Sequence, residues 1–193
     1  MPNLFIVAGC NGAGKTTASY TILPEMLNCR EFVNADSIAA GLSPFNSDSV
    51  AFAAGRIMLQ RIHQLIQDGE DFAFETTLST RSYVSLIQFA KKMNYEVTLL
   101  FFWLYSPELA KQRVADRVSK GGHHIEAEVI GRRFFRGIKN LFNLYMPVCD
   151  NWMVIDNADV LPELIARGGK NEKIMVKNTE IWNSILSQSK HEK

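Results

Sequence analysis

Residues 9–16 of the chain read GCNGAGKT, a match to the pattern GxxxxGK[ST]. An apolar run at residues 4–8 precedes this stretch, and a helix-compatible segment begins near Thr16. A glycine-rich turn between a strand and a helix is typical of a P-loop, whose backbone N–H groups wrap phosphates at the positive end of the helix. The stretch therefore predicts a nucleoside triphosphate site inside an α/β fold.

The predicted ATP site consists of the loop and the residues that follow it. Lys15 adds a full positive charge for the phosphates, and we expect its side chain to face solvent in the empty loop. The Thr16 hydroxyl is expected to hold Mg²⁺. The residues assigned to ATP are Gly9, Cys10, Asn11, Gly12, Ala13, Gly14, Lys15, Thr16 and Thr17.

Length and composition limit the classes of protein that remain. The chain has 193 residues, of which 47% are hydrophobic, so it is long enough for one α/β domain with a full core. A net charge of +1 and the absence of a long apolar run argue against nucleic acid and membrane partners. Three cysteines without a CxxC pair argue against a disulfide framework or a zinc site and suit the cytoplasm.

Apolar runs alternate with helical patterns along the chain, which is typical of βαβ units. We predict strands at about 4–8, 30–34, 72–75, 96–103 and 152–156. Helices are predicted at about 48–67, with Ser47 or Asp48 as the N-cap, and at 80–93, 106–119 and 126–145. The tail, at about 160–190, predicts a β-hairpin and a short helix.

The fold class is therefore a doubly wound, mainly parallel sheet of P-loop kinase type, with a C-terminal hairpin. We expect residues 1–193 to form a single domain. In such a sheet, ligands bind beyond the carboxyl ends of the strands. Here those ends carry Asn34 and Asp36, then Glu75, and finally Asp156 with Asn157. The last two residues are expected either to approach the nucleotide base or to turn the chain.

The carboxylates at these strand ends indicate a kinase. Phosphoryl transfer needs a group that accepts the proton of the substrate hydroxyl, and Asp36 stands where an acceptor would lie. Asp36 is also a good residue for capping the helix that follows. Glu75 ends an apolar strand, where a carboxylate is costly unless it binds a metal, a substrate or a cation, or reaches water.

Two further features are expected near the transferred phosphate. Thr76, Thr77 and Ser79 form a hydroxyl-rich turn that either binds a polar substrate or caps the next helix. A basic segment at about 113–136 resembles a lid, with Gly121 and Gly122 at its hinge. Its arginines either surround the triphosphate or form a solvated face. They are Arg113, Arg117, Arg132, Arg133 and Arg136. His123 is a candidate for substrate contact.

These motifs together resemble one known family. The stretches AGCNGAGKTT, FVNADSIA, FETTLS, RVSKGGHHI and VIGRRFFRGIKNL are similar, in order and spacing, to the zeta-toxin family of P-loop kinases, over roughly residues 3–157. The resemblance implies phosphorylation of UDP-N-acetylglucosamine by ATP, and inhibition by a small helical antitoxin.

The resemblance also implies roles for individual residues. Lys15 and Thr16 would bind ATP and Mg²⁺, and Asp36 would be the base. The sugar substrate would contact Glu75 and Thr77, with Asn34, Thr76 and His123 as further candidates. Arg117 and Arg132 or Arg133 would face the phosphates. An ATP-hydrolysing or ATP-sensing switch, a kinase of another metabolite and an inactive binding module remain alternatives.

Overall fold

A seven-stranded sheet forms the centre of the molecule. The computed structural model describes residues 1–159, 161–170 and 172–190. The strand order is β2-β3-β1-β4-β5-β6-β7, and the first five strands of this order are parallel. The strands are β1 (Asn3–Gly9), β2 (Glu31–Val33), β3 (Phe72–Thr76), β4 (Glu96–Trp103), β5 (Asn151–Asp156), β6 (Glu163–Gly169) and β7 (Glu172–Val176). The predicted α/β fold with a mainly parallel sheet is confirmed.

Strand order determines which residues meet at the carboxyl edge of the sheet. β1 is buried along almost its whole length because it lies between β3 and β4. In the parallel register, Val7 pairs with Glu75 of β3, and Val33 of β2 pairs with Phe74. The residues that follow β1, β2 and β3 therefore emerge side by side, which places the glycine-rich loop next to Glu75 and Asn34.

The C-terminal hairpin is confirmed, and it extends the main sheet. β6 pairs antiparallel with β5, and β7 pairs antiparallel with β6. The last helix, α7 (Thr179–Ser189), follows. Its Trp182 stacks on Trp152 of β5, with ring centroids 5.8 Å apart and the rings within 4° of parallel. Val160, Asn171 and residues 191–193 of the predicted tail lie outside the described residues.

The helices begin and end near the predicted positions, with one wrong cap. Besides α7, the described residues form six α-helices: α1 (Lys15–Thr21), α2 (Ala35–Leu42), α3 (Ala51–Asp68), α4 (Tyr83–Lys92), α5 (Pro107–Ser119) and α6 (Ala127–Asn140). Ser106 caps α5 by accepting a hydrogen bond from the Leu109 N–H. Neither Ser47 nor Asp48 caps α3, because a 3₁₀ turn, Ser47–Val50, precedes the helix.

Helix α6 is shorter than the predicted 126–145 segment. It ends at Asn140 and continues as a π-helical turn, Leu141–Tyr145. Ile130, Phe134 and Ile138 are buried on one face, which directs the remaining faces toward the loops at the carboxyl edge and toward solvent. Among the described residues, no helix is both long enough and apolar enough to cross a membrane.

Candidate active site

The loop after β1 has the backbone conformation that phosphate binding requires. Gly12 and Gly14 have φ angles of +81° and +78°, which side-chain-bearing residues rarely adopt. A Cβ atom on Gly9 would lie 2.3 Å from the carbonyl oxygen of Phe102 on the neighbouring strand. Gly14 directly precedes α1, so the loop ends at a helix N-terminus. These features fit a cradle for phosphate oxygens.

Lys15 does not face solvent, contrary to expectation. Its side chain is 5% exposed, its ammonium group donates to the Cys10 carbonyl oxygen at 3.0 Å, and it lies 3.4 Å from Glu75 Oε1. A buried ammonium group is costly without such partners, so the loop carbonyl and the carboxylate stabilise its charge. Lys15 is thus held by protein oxygens from the glycine-rich loop and from β3.

Glu75 connects the loop to the neighbouring strands. Its Oε2 atom accepts hydrogen bonds from the Thr16 hydroxyl at 2.6 Å and from Asn34 Nδ2 at 2.7 Å. Its side chain is only 11% exposed. The alternative of a strand-end carboxylate reaching water is therefore wrong for this structure. The structure brings four predicted site residues into one cluster, which we call the Glu75 cluster: Lys15, Thr16, Asn34 and Glu75.

Asn34 caps α2. Its Oδ1 atom accepts from the backbone N–H groups of Asp36 and Ser37 at 2.8 and 3.1 Å. The predicted alternative, in which Asp36 is the cap, is wrong because Asp36 lies inside the first turn of the helix. The exposed Asp36 carboxylate makes no hydrogen bond within the described part of the chain. It is consequently free to meet a substrate.

The hydroxyl-rich turn after β3 does not cap a helix. Thr76 Oγ1 accepts from the Leu78 N–H at 3.1 Å, and the Thr77 and Ser79 hydroxyls lie 2.9 Å apart. α4 begins at Tyr83 without a side-chain cap. The capping interpretation is therefore wrong, and substrate contact stays a prediction. Gly137 of α6 packs on this turn, since a Cβ there would lie 2.6 Å from the Thr77 carbonyl oxygen.

The two adjacent arginines of α6 point in different directions. Arg133 is half-buried, and its guanidinium group donates to Asn11 Oδ1 of the glycine-rich loop at 3.2 Å. Burial lowers the pKa of Arg133, while the nearby Asp36 carboxylate opposes that shift. Arg132 is exposed and lines a separate groove on the outer side of α6. Of the predicted pair, only Arg133 contacts the glycine-rich loop in this structure.

Arg113 supports the edge of the site. Its guanidinium group donates to the backbone carbonyl oxygens of Asn157 and Ala158. Asn157 in turn donates from Nδ2 to the Ala13 carbonyl oxygen at 2.7 Å. Asp156 turns the chain by accepting from the Ala158 N–H at 2.9 Å. Sequence analysis left the role of Asn157 open, and the structure shows that it braces the glycine-rich loop.

The loop between α5 and α6 is fixed at both sides. Arg117 donates to the His123 carbonyl oxygen at 2.9 Å, and Gly122 N donates to the Arg117 carbonyl oxygen at 3.0 Å. The His123 ring places Nδ1 3.2 Å from both Ser47 Oγ and Asp48 Oδ1. The predicted lid segment therefore reaches the turn before α3. His123 contacts protein groups here, and its contact with substrate stays a prediction.

The described residues contain neither a reactive thiol nor a ready-made metal cluster. Burial raises the pKa of the Cys10 thiol to about 11, so this side chain is protonated near neutral pH. Cys29 and Cys149 are also buried and free. No cluster of three or more His, Cys, Asp and Glu side chains suited to a metal occurs in the described ranges. The Thr16 hydroxyl beside the Glu75 carboxylate nevertheless offers the oxygen donors that Mg²⁺ prefers.

Solved structures share this fold. The chain matches a crystal structure of AvrRxo1-ORF1:-ORF2 with ATP at a TM-score of 0.77 and 18% identity, covering 100% of this chain and 66% of that one. The chain thus spans just under two thirds of that protein. It also matches a structure of the PezAT toxin-antitoxin system of Streptococcus pneumoniae, at a TM-score of 0.64 and 16% identity. That match covers 98% of this chain and 84% of the other.

A metabolic kinase is similar as well. Shikimate kinase from Acinetobacter baumannii, solved with shikimate, matches at a TM-score of 0.52 and 18% identity, covering 82% of this chain and 85% of that one. At these low identities, the TM-scores show a shared fold, which is of the P-loop kinase type. The family model described as "Zeta toxin" matches residues 1–144. Family and fold together support a kinase-type phosphotransferase. The chain therefore belongs to the zeta toxin family.

Proposed function

We propose that the chain is an ATP-dependent kinase that phosphorylates a hydroxyl group of a small molecule. The observation that carries this proposal is the Glu75 cluster, in which Lys15, Thr16 and Glu75 meet beside a phosphate-binding loop. An exposed carboxylate, Asp36, follows two residues after Asn34 of the same cluster. A phosphate cradle next to a free base is the arrangement that phosphoryl transfer needs.

The proposed reaction uses Asp36 as the proton acceptor. The acceptor hydroxyl attacks the γ-phosphorus, a new P–O bond forms, and the bond between the γ-phosphorus and the bridging oxygen breaks. ADP leaves with the electron pair, and the hydroxyl proton goes to the Asp36 carboxylate. Lys15 and Arg133 stabilise the negative charge on the transferred group, since both lie at the glycine-rich loop.

Magnesium fits the same cluster. The Thr16 hydroxyl would bind the ion directly, and Glu75 would orient Thr16 or a water ligand. The ion supplies charge neutralisation at the β- and γ-phosphates. ATP binding exchanges the contact of Lys15 with Glu75 for contacts with phosphate oxygens. The carboxylate then becomes available to the ion.

Family membership supports the finer parts of the proposal. We infer that the acceptor is a nucleotide sugar, with UDP-N-acetylglucosamine as the first candidate, and that a protein antitoxin controls the enzyme. Asn34, Thr76, Thr77 and His123 are proposed to bind the acceptor, Thr77 on the resemblance and the other three on their positions in the chain. The three free, buried cysteines suit the reducing conditions of the cytoplasm, which we propose as the compartment.

The test is a product analysis. Purified protein is incubated with ATP, Mg²⁺ and a panel of nucleotide sugars and other hydroxyl-bearing metabolites, and the products are resolved by mass. A product heavier by one phosphoryl group, absent with the Lys15→Ala variant, supports the kinase. ADP formation without any phosphorylated acceptor would instead favour the ATP-hydrolysing switch, and no turnover at all would favour a binding module.

A further inference from the structure

The chain segment after β5 contacts the glycine-rich loop through one side chain, that of Asn157. Its amide nitrogen lies 2.7 Å from the Ala13 carbonyl oxygen. A carbonyl oxygen can only accept a hydrogen bond, so the Asn157 amide is the donor. Asn157 lies beyond residues 1–144, the part of the chain that the family model matches. The contact therefore joins the phosphate loop to a part of the chain that has no assigned role in the reaction.

The backbone of Asn157 is fixed on both sides. Its N–H group donates to the carbonyl oxygen of Trp103, the last residue of β4, at 3.1 Å. Its own carbonyl oxygen accepts from the Arg113 guanidinium group of α5 at 2.8 Å. The side chain is half-buried. Because neighbouring elements hold both backbone groups, the Asn157 amide is presented to the loop in a defined position.

Gly14 is packed against this amide as closely as a glycine allows. A Cβ atom on Gly14 would lie 2.5 Å from Asn157 Nδ2, which is closer than any real contact of a Cβ atom. Gly14 also has a φ angle of +78°, which favours glycine. Glycine is thus required at this position of the loop for its backbone conformation and for the approach of Asn157.

The hydrogen bond to Ala13 also determines the direction of a neighbouring N–H group. The Ala13 carbonyl and the Gly14 N–H belong to one peptide group, which is planar and trans, so they point in opposite directions. The Ala13 N–H already donates to the Cys10 carbonyl oxygen at 3.2 Å. The Gly14 N–H donates to no protein oxygen within the described ranges. A donor that holds the carbonyl on one side therefore turns an unused N–H group to the other side.

We propose that Asn157 is a positioning residue for ATP, because it holds the Ala13 carbonyl oxygen so that the Gly14 N–H faces the phosphates. This inference rests on the ATP site of the proposed function. The Gly14 N–H would donate to a phosphate oxygen, and a hydrogen bond to a charged group is stronger than one between neutral groups. The contact is with a group that ATP shares with any other triphosphate. Asn157 should therefore affect the affinity for the triphosphate and not the recognition of the base.

The test compares ATP with inorganic tripolyphosphate, which has no nucleoside. Asn157→Leu removes the donor, keeps the branched shape and adds no charge. Each probe, with excess Mg²⁺, displaces a fluorescent ATP analogue from the protein, so that only binding at the ATP site is counted. We expect both affinities to fall by about 10-fold, the lower range for one hydrogen bond to a charged group. A loss for ATP alone would assign Asn157 to the nucleoside and overturn the proposal, as would unchanged affinity for both probes.

Asn151 provides a matched control at the other end of β5. It is also a half-buried asparagine, and its side chain donates one hydrogen bond, to Glu96 Oε1 at 2.8 Å. Asn151→Leu should change both affinities by less than about 2-fold, because its contact does not involve the glycine-rich loop. Melting temperatures compare the cost of each substitution to the fold. Equal losses of affinity in the two variants would show a general effect of stability and would overturn the proposal.

A nuclear magnetic resonance experiment detects the Gly14 N–H directly. Labelling alanine with ¹³C at the carbonyl and glycine with ¹⁵N selects the amide signals of four Ala-Gly pairs, those of Gly9, Gly14, Gly41 and Gly55. Saturating tripolyphosphate should shift the Gly14 signal in the wild-type protein and shift it much less in Asn157→Leu. Gly41 and Gly55, on α2 and α3, are internal references. Equal shifts of the Gly14 signal in both proteins would overturn the proposal.

Neither measurement requires an acceptor or turnover. A protein that binds both probes but transfers no phosphate would contradict the kinase proposal and leave this test intact. A wild-type protein that binds neither probe would overturn the ATP site, and the role of Asn157 with it. Binding by the wild-type protein that Asn157→Leu does not weaken would overturn the role of Asn157 alone. The failures of the two proposals are thus distinguishable.

Discussion

The Glu75 cluster and the basic segment from α5 to α6 hold their charges in different ways. In the cluster, Lys15 and Glu75 are both nearly buried and share one network with Thr16 and Asn34. In the basic segment, Arg113 and Arg117 donate to backbone carbonyl oxygens, and Arg133 donates to an amide oxygen. None of the segment's five arginines pairs with a carboxylate among the described residues.

This difference separates two tasks of a phosphate site. The groups of the cluster are held in place by one another, because Lys15, Thr16 and Asn34 all contact Glu75. In the basic segment, neutral carbonyl and amide oxygens orient the arginine side chains but do not neutralise their positive charge. Preorganised groups lower the reorganisation needed during reaction, whereas unneutralised charge attracts the ligand. We therefore expect substitutions in the cluster to affect chemistry most, and substitutions in the segment to have graded effects.

The largest effect is expected at Lys15. Lys15→Ala should lower kcat by at least about 100-fold, the usual result of removing one preorganised charge donor. It should also destabilise the fold by up to about 3 kcal/mol, because Glu75 is left buried without its cation. Kinetics and thermal unfolding measure the two effects separately.

A paired variant distinguishes these two causes. Lys15→Met combined with Glu75→Gln removes both charges and keeps an oxygen that accepts from Thr16 and Asn34. The melting temperature should recover while activity stays lost. A melting temperature that does not recover would mean that the Lys15–Glu75 pair does not stabilise the cluster. Wild-type turnover in Lys15→Ala would contradict the P-loop assignment itself.

The next effect is expected at Asp36. Asp36→Asn should lower kcat by about 100-fold or more, the range for loss of a general base. ATP affinity and melting temperature should remain at wild-type values, since Asn34 and not Asp36 caps α2. Asn34→Ala should instead cost at least about 1 kcal/mol of stability, because it removes both the cap of α2 and the hydrogen bond to Glu75. Near-normal turnover in Asp36→Asn would remove Asp36 from the chemistry.

A smaller effect is expected on α6, where adjacent arginines provide an internal control. Arg133→Ala should lower kcat by about 10-fold or more, below the range of a dedicated arginine finger, because Lys15 shares the charge stabilisation. Arg132→Ala should leave kcat within about 2-fold, since its side chain is exposed and lines the separate groove on the outer side of α6. Steady-state kinetics at saturating ATP measure both. Equal losses would show that α6 moves on substrate binding.

Much of the fold and the phosphate loop is readable from sequence, because both depend on local patterns. The strand at residues 4–8, the glycines and the helix start are contiguous, so the loop geometry follows from neighbouring residues. Helical spacing also places Ile130, Phe134 and Ile138 on one buried face. The Ser106 cap is equally local, because it lies three residues before the N–H group that it accepts from.

The partners within the site are less predictable because they depend on strand order. Glu75 meets Thr16 across 59 residues, and Asn157 meets Ala13 across 144. No local pattern states that β3 lies beside β1. The cap of α2 is missed for another reason. Asn and Asp both cap helices well, so the pattern favours Asp36 although Asn34, two positions earlier, is the cap. The burial of Lys15 is likewise not predictable from neighbouring residues, because its carboxylate partner, Glu75, lies on another strand.

The smallest effect is expected at Arg117, which belongs to the basic segment. Arg117 makes one hydrogen bond to the His123 carbonyl oxygen, and loss of a single such bond corresponds to a factor of about 2 to 10. Arg117→Ala should lower kcat by that factor, and Arg117→Lys should recover most of it, because an ammonium group also donates to a carbonyl. Gly122→Pro removes the N–H group that donates to the Arg117 carbonyl oxygen, and its Cβ atom would lie 2.9 Å from that same oxygen. It should therefore lower kcat by at least as much as Arg117→Ala, and the melting temperature shows whether the fold is kept. Arg117→Lys could instead remain as impaired as Arg117→Ala. That result would mean that Arg117 binds phosphate through both arms of its guanidinium group, and that the basic segment, like the Glu75 cluster, acts directly in catalysis.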